Sequence, residues 1–488
     1  FLAMSPADVA CPPIRVVHLG IGAFFRAFGL PRLEELNAAL PRPQDCAAVM
    51  GVSLRSPAIR DALAPQDFTY HAIERGPDGD VPREITCLLD VGYAGEDRRP
   101  ILAAMAAPDV GLVSLTITEK GYCHKNGQLD VSHPDIQHDI ENPETPVSAP
   151  GFIVAALARR RAAGTPSFTC LSCDNLADNG RLLARVVTDL AALVDPALGR
   201  WIDAETRFPV SMVDRIVPAT TKDDRDDVLR LVGRKDQAPV IHEPFWQWVI
   251  EDDFGPMGRP DLASVGVQLV ADVTPYEMMK LRCLNGSHTA LALLGQLHGK
   301  QTVSAAIADP LLAGFIDSLW SQEIIPSVTV PQGQDIIAYC KALGARFSNP
   351  RIIHQTAQIA MDTSQKLPPR ILAPLAENLA SGRPIAGLCL VIAGWMAFVR
   401  QLHDMGQPLH DPLADRIKGI ISTTPDGDRY VEAMLGLEGV FSAAIAGHDM
   451  VTDTVSQWYR RIGADGIAAC LEDAATLAWD SSNRSALE

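Results

Sequence analysis

The pattern of apolar and polar positions changes character near residue 275. Before it, short apolar runs alternate with segments of helical period. Residues 14–19 (I-R-V-V-H-L), 47–54 (A-A-V-M-G-V-S-L), 110–117 (V-G-L-V-S-L-T-I) and 167–172 read as strands, apolar almost throughout, as strands buried on both faces are. Residues 101–107, 151–161 and 179–194 read as helices between them, and 124–150, rich in Pro, Asn, Asp and His, as a long loop. Another strand ends near residue 213, and 239–250 and 265–270 look extended. This alternation predicts an α/β doubly wound sheet with one ligand crevice at the carboxyl ends of its strands. Polar residues stand at three such ends: Thr118 and Glu119, Asn175, and Asp214. After residue 275 the period is helical over 276–325, 333–347, 350–362, 367–381, 386–403, 410–422, 428–435 and 451–478. The expected organisation is an α/β domain over 1–275 and a mostly α-helical domain over 276–488.

One helix stands out, P-Y-E-M-M-K-L-R-C-L-N-G-S-H-T-A-L-A-L-L-G over 275–295. Pro275 suits its first turn and Gly295 its exit. Projected at roughly 100° per residue, its apolar side chains leave no wide polar face, so the helix should be buried. Yet it carries Glu277, Lys280, Asn285 and His288. A buried lysine tends to lose its proton, and a neutral amine is a base. With Asn and His downstream to hydrogen-bond an oxygen, the stretch reads as a proton-transfer site. The competing reading is a helix end at the surface, with Lys280 and Arg282 snorkelling into water.

The first strand runs straight into Gly20-Ile21-Gly22-Ala23-Phe24-Phe25-Arg26. A strand, glycine turn and helix in that order would seat a dinucleotide pyrophosphate on the helix N-terminus, with Gly20, Ile21, Gly22, Ala23, Phe24 and Arg26 at the cofactor. Phe25 stands where the third glycine of the fingerprint belongs, so a plain tight turn is the alternative. Where an NAD-selective site usually has an acid after the second strand, the chain has Arg55 and Ser56. A guanidinium leaves room for a 2′-phosphate, so both NAD(H) and NADP(H) stay open, unless Arg55 merely pairs with an acid such as Asp61.

Composition narrows the partners. The 488 residues are 47% apolar and 21% charged, as in soluble globular proteins. A net charge of −17 argues against nucleic acid or an anionic membrane. No apolar run looks long enough to span a bilayer, and no leader is apparent before the first strand. The ten cysteines are scattered apart from Cys170 and Cys173, the usage of a reducing cytoplasm. That C-x-x-C has no second pair and lies in a predicted strand, so the thiols read as structural; His133 and His138 read as solvated loop residues. No P-loop and no G-x-S-x-G elbow occurs. Lys366, Arg370 and Arg351 form a cationic cluster able to hold a carboxylate, or else a solvated helix end.

Taken together, K-x-x-x-x-N-x-x-H at Lys280, Asn285 and His288, with L-T-I-T-E-K-G-Y-C at 115–123, S-C-D-N-L-A-D-N-G at 172–180, V-D-R-I-V-P-A-T at 213–220 and E-P-F-W-Q-W-V-I-E-D at 243–252, resembles the polyol-specific long-chain dehydrogenases, the mannitol dehydrogenase family. The resemblance covers nearly the whole chain. It implies a Rossmann-type N-terminal domain, a helical C-terminal domain with the active site between them, and metal-independent hydride transfer between NAD(P) and a secondary alcohol. By position, Lys280 would be the general base, Asn175 and Asn285 the oxyanion pocket, His288 the group orienting the substrate oxygen, Asp214 a substrate contact, and Glu277 part of the proton route. In oxidation, neutral Lys280 would take the hydroxyl proton as hydride leaves the carbon. The chain departs from the family with Phe25 and Phe28 at two usual histidines and Thr363 for a usual glycine. Polyol enzymes of the family often carry Arg where this chain has Gln358, and H-x-x-x-Q-I-A-M-D-x-S-Q-K-L-P-x-R is closer to the fructuronate reductases, which interconvert D-mannonate and D-fructuronate. A carboxylate substrate suits Lys366 and Arg370. The expected substrate is therefore a sugar acid, with a polyol such as mannitol, sorbitol or arabinitol as the alternative, and a dinucleotide-binding sensor without turnover, or a metal-dependent dehydrogenase built on Cys173 and a His, as alternatives of other kinds. The expected protein is cytoplasmic, and a monomer or homodimer.

Overall fold

The computed structural model describes residues 12–42 and 45–477. The chain divides into two compact units between Thr274 and Pro275.

In the first unit, β1 (Ile14–Leu19), β2 (Ala48–Ser53), β3 (Leu88–Tyr93), β4 (Leu112–Leu115) and β5 (Thr169–Ser172) form a parallel sheet in the order β3-β2-β1-β4-β5. Every residue of β2, β4 and β5 is buried, which is why their sequences are apolar without alternation. One face packs Val17, Leu19, Met50, Val52 and Val113 with Ile153, Leu183 and Val187; the other packs Val16, Val49 and Leu112 with Phe25, Phe28 and Leu33. The two neighbours of β1 are approached from opposite directions in the chain, so the switch point of the sheet lies at the carboxyl ends of β1 and β4.

Several expectations need correction here. The strand ending in Asp214 is not part of this sheet. Ser211–Asp214 pairs antiparallel with Gln247–Glu251, which pairs with Gln268–Val270. Asn179 ties it to β5 all the same: its amide nitrogen donates to the carbonyls of Asp174 and Ser211, and its oxygen accepts from the Ser211 N–H. Between β2 and residue 101, where the pattern suggested nothing, lie β3 and the strands Tyr70–Arg75 and Asp80–Ile85, which pair with each other and with Val240–His242. The region 124–150 is no structureless loop. It holds a two-residue-per-strand hairpin at 124–129, a helix Pro134–Glu141, and the start of the helix Ala149–Ala163.

The second unit is helical. The helix that opens it starts at Thr274, the last residue of the first unit, and ends at Leu297, past Gly295; the left-handed residue that closes it is Gly299, at φ +74°. Within it, Lys280–Gly286 is a π-helical segment. The predicted helix over 350–362 is one turn, Thr356–Ile359, and the last helix, Asp449–Leu477, breaks at Gly466. Ala386–Asp404 corrects the expectation about apolar runs: at 19 residues it is long and apolar enough to cross a membrane by length and composition. Here its side chains from Leu388 to Ala393, with Trp395 and Met396, are buried in the helical core.

Candidate functional site

The glycine turn sits at the switch point. Gly20 has φ +88°, and a Cβ there would lie 2.1 Å from the Thr116 carbonyl oxygen, so only glycine lets β1 turn this close to β4. Beneath it, His18 holds the turn. Its Nδ1 bonds Ser114 Oγ at 2.8 Å and its Nε2 bonds Thr116 Oγ1 at 2.9 Å, while Thr116 Oγ1 donates to the Gly20 carbonyl. Burial pushes the His18 imidazole down to about 3, against the pull of the Gly20 carbonyl, so it is neutral at ordinary pH. The Phe25 ring lies flat on His18, centroids 3.4 Å apart, and Phe28 packs on Trp248. Both departures from the family pattern are thus core residues.

A cavity of about 300 Å³ opens above this turn, lined by Gly20, Ile21, Gly22, Ser53, Arg55, Ser56, Thr116 and Thr118 among others. The glycine cradle, two polar strand ends and an adjoining guanidinium suit a dinucleotide. Ala23, Phe24 and Arg26 are not part of its lining. Arg26 is buried instead, donating through Nη1 to the Ala238 carbonyl and lying over the Tyr70 ring. Glu119 lines a different cavity, with His124, Arg181 and Arg185. Arg55 pairs at 2.9 Å with Asp135, not with Asp61, which pairs with Arg60. Thr118 takes a left-handed φ of +62°, and the Asp174 carboxylate accepts from its N–H, from that of Ile117 and from the Tyr122 hydroxyl. Burial raises the Asp174 carboxyl, and those donors pull it back. In the sequence Asp174 stands out only as part of the S-C-D-N motif; its neighbour Asn175 is exposed, and Asp214 is buried.

In the second unit Lys280 is 7% exposed and Arg282 2%, so neither snorkels into water. Arg282 forms a two-pronged ion pair with Glu377 and also donates to the Ser327 carbonyl. Glu277 and Asn285 are half-buried. His288 is buried, stacked on Phe347 and edge-on to His354 at 4.9 Å, with no hydrogen-bond partner at Nε2. Burial first, then the charges of His354, Arg346, Arg370 and Lys366, push its imidazole well below the ordinary range, so it is neutral. Lys366 Nζ donates to the carbonyls of Ile359 and Met361, and Arg370 Nη1 to Thr289 Oγ1. Burial lowers both cations, Arg370 to about 10. Asp362, not Thr363, takes the positive φ of its turn; Thr363 is a buried helix residue whose hydroxyl donates to the Ala360 carbonyl. The turn thus accommodates threonine without strain.

Cys170 and Cys173 are buried, and burial raises both thiols. The group among the described residues with metal-ligand spacing is Cys123, His133 and Asp135, whose ligand atoms lie within 4.8 Å of one another. His133 is no solvated loop residue: its Nδ1 accepts the Asp135 N–H and caps the helix Pro134–Glu141.

Two family models match: the mannitol dehydrogenase Rossmann domain over residues 14–264 and the mannitol dehydrogenase C-terminal domain over residues 272–463. The D-mannonate oxidoreductase of Escherichia coli (strain K12) is 40% identical over 468 residues, covering 94% of this chain and 95% of that protein. A mannitol 2-dehydrogenase of Aspergillus fumigatus is 36% identical over 467 residues, 93% and 92% of the two chains. Among solved structures, the Pseudomonas fluorescens mannitol 2-dehydrogenase ternary complex with NAD and D-mannitol superposes with a TM-score of 0.81 at 35% identity, covering 96% of this chain and 95% of that one.

Proposed function

The chain belongs to the mannitol dehydrogenase family and is an oxidoreductase acting on CH–OH groups; from that premise we propose that its substrate pair is a sugar acid and its keto form, D-mannonate and D-fructuronate, used without a metal. The observation that carries the choice of a sugar acid is the cation beside His288: Arg370 donates to Thr289, the next residue, and Arg346 and Lys366 add to the positive field that lowers the His288 imidazole. An uncharged polyol gains little from such a field, whereas a carboxylate meets charge-assisted donors. The 40% identity to a D-mannonate oxidoreductase points the same way. Gln358, at a position where polyol enzymes of the family often carry Arg, agrees with it.

A nicotinamide dinucleotide, when bound, supplies the hydride acceptor or donor. The backbone of Gly20–Gly22 and the side chains of Arg55, Ser56 and Thr118 would hold it. Lys280, buried on its helix, takes the hydroxyl proton in oxidation and returns it in reduction. Asn285 donates its amide to the developing alkoxide, a contribution typically worth ~3 kcal/mol in a dry site; Asn175 carries the other amide in this reading. His288, held neutral, orients the substrate oxygen. Glu277 relays the proton, and Asp214 contacts the substrate.

The test is a panel of aldonates and polyols with NAD and NADP, followed at the reduced-nicotinamide absorbance band with and without chelator. D-mannonate should exceed D-mannitol in kcat/KM by at least about tenfold, the ~1.4 kcal/mol of one modest charged contact, and chelator should change nothing. Equal or better use of a polyol overturns the substrate assignment, and loss of activity in chelator overturns the metal-free reading. Lys280→Ala should cut turnover by about 10²-fold or more while dinucleotide binding survives; wild-type turnover in that variant removes the base assignment.

A further inference from the structure

We propose that Asp135, a residue distant in sequence from the glycine turn, sets the dinucleotide preference of this protein in favour of NAD(H) by occupying Arg55. The inference rests on the dinucleotide reading given above and deepens it.

The position after β2 where an acid usually meets the adenosine ribose holds Leu54, Arg55 and Ser56, all in the cavity wall. A lone guanidinium there would favour a 2′-phosphate. It is not alone. Arg55 Nη2 lies 2.9 Å from Asp135 Oδ2, with the arginine side chain 71% exposed and the aspartate 23%. The pair therefore stands at the cavity rim with its cationic half reachable from solvent.

The carboxylate is held in place from behind. Asp135 lies in the first turn of the helix Pro134–Glu141, and its own N–H is bonded to the capping His133. One turn on, Asp139 fixes the same helix to the cavity wall. Its carboxylate accepts the N–H groups of Val147 at 2.8 Å and Ser148 at 3.0 Å and the Ser148 hydroxyl. Val147 and Ala149 are themselves cavity-lining residues. The helix that carries Asp135 is thus anchored to the wall that Arg55 shares, and an acid is brought to Arg55 from a different element than usual.

The consequence is electrostatic. A 2′-phosphate, near −2, must draw Arg55 away from its partner and sit close to the carboxylate. A 2′-hydroxyl meets a neutral pair and can donate to the carboxylate. Arg55 read in isolation would suggest NADP(H); read with Asp135 it does not.

The experiment measures binding, so it does not depend on turnover or on the substrate. NADH and NADPH are titrated against the full chain by reduced-nicotinamide fluorescence, for wild type, Asp135→Asn, Arg55→Ala and the double variant. Wild type should bind NADH more tightly than NADPH. Asp135→Asn, which keeps the size of the side chain, should raise the NADPH-to-NADH affinity ratio about tenfold, equivalent to ~1.4 kcal/mol, and Arg55→Ala in that background should reverse the gain. A ratio unchanged within about twofold in Asp135→Asn, or wild type preferring NADPH, overturns the inference. Binding of neither nucleotide by wild type overturns it together with the cavity reading. Normal binding with no turnover on any sugar acid or polyol sinks the proposed function and leaves this inference to be judged on the affinity ratio.

Discussion

Glu323 should make the helical unit lose stability as pH rises through neutrality. Its residue is 5% exposed, and its carboxylate oxygens accept the N–H groups of Gly387 at 2.6 Å and Leu388 at 2.9 Å, at the start of the buried helix Ala386–Asp404. Burial raises its carboxyl from 4.5 to about 7, even though these N–H donors favour the ionised form. The folded state therefore prefers the protonated acid more than the unfolded chain does. Its contribution is fully present below about pH 4.5 and is lost as pH climbs to about 7. With 1.36 kcal/mol per pKa unit, integration between pH 5 and pH 8 gives a loss of ~2.5 kcal/mol. Glu323→Gln keeps the shape and one acceptor but cannot titrate. Urea unfolding of both proteins across that range, at constant ionic strength, isolates the term, because every other titrating group is common to the two. The fall in unfolding free energy from pH 5 to pH 8 should be ~2.5 kcal/mol smaller in the variant. Parallel curves, or a steeper fall in the variant, would refute the reasoning.

Gly20→Ala forces a side chain into a left-handed backbone and onto the Thr116 carbonyl; dinucleotide affinity should fall at least about tenfold and Tm by several degrees, since the αL penalty alone is ~1–2 kcal/mol, and fluorescence titration with wild-type affinity would count against the cradle. Glu377→Ala leaves the buried Arg282 side chain with the Ser327 carbonyl but without its carboxylate. Because Glu377 itself is 45% exposed, the expected loss is ~1–2 kcal/mol, below that of a fully buried pair; a change under ~0.5 kcal/mol in urea unfolding would mean the pair is only a surface contact.

Much of the Rossmann sheet could be read because its strands are largely buried on both faces, which leaves a mostly apolar run without alternation in β1, β2 and β4. What could not be read was whatever depends on distant partners. The strand Asp80–Ile85 is mostly exposed and carries Asp, Arg and Glu, so neither alternation nor an apolar run marks it. The strand Ser211–Asp214 looks like one more parallel strand, and only its antiparallel pairing with Gln247–Glu251 puts it in another sheet. Arg55 could be placed at the cavity from its position after β2, but its partner lies 80 residues away, and spacing carries no trace of it. Arg26 failed for a related reason: it follows the glycine turn at the right distance, yet helix geometry turns it toward Ala238 and away from the cavity.

The helix Thr274–Leu297 shows how a motif can be legible while its geometry is not. In an unbroken α-helix at roughly 100° per residue, positions five apart differ by about 140°, so Lys280 and Asn285 would face different ways. Lys280–Gly286 is π-helical instead. A turn that closes i→i+5 holds more residues than an α-turn, so the offset between Asn285 and Lys280 shrinks well below that of an α-helix, and His288, three further on in α-geometry, falls toward the same side. The K-x-x-x-x-N-x-x-H spacing is thus matched to a widened turn, not to the regular helix that periodicity suggests. The widened turn packs closely against a second segment of the same unit. Pro368–Leu372 is itself π-helical, and a Cβ on Gly286 would come within 3.2 Å of the Arg370 carbonyl. Glycine at 286 lets that segment close against the turn, and the same segment carries the Arg370 guanidinium to Thr289, one residue beyond His288. Lys280, Asn285, His288 and Arg370 are therefore placed by two π-helical irregularities packed against each other. No periodicity in the sequence announces them.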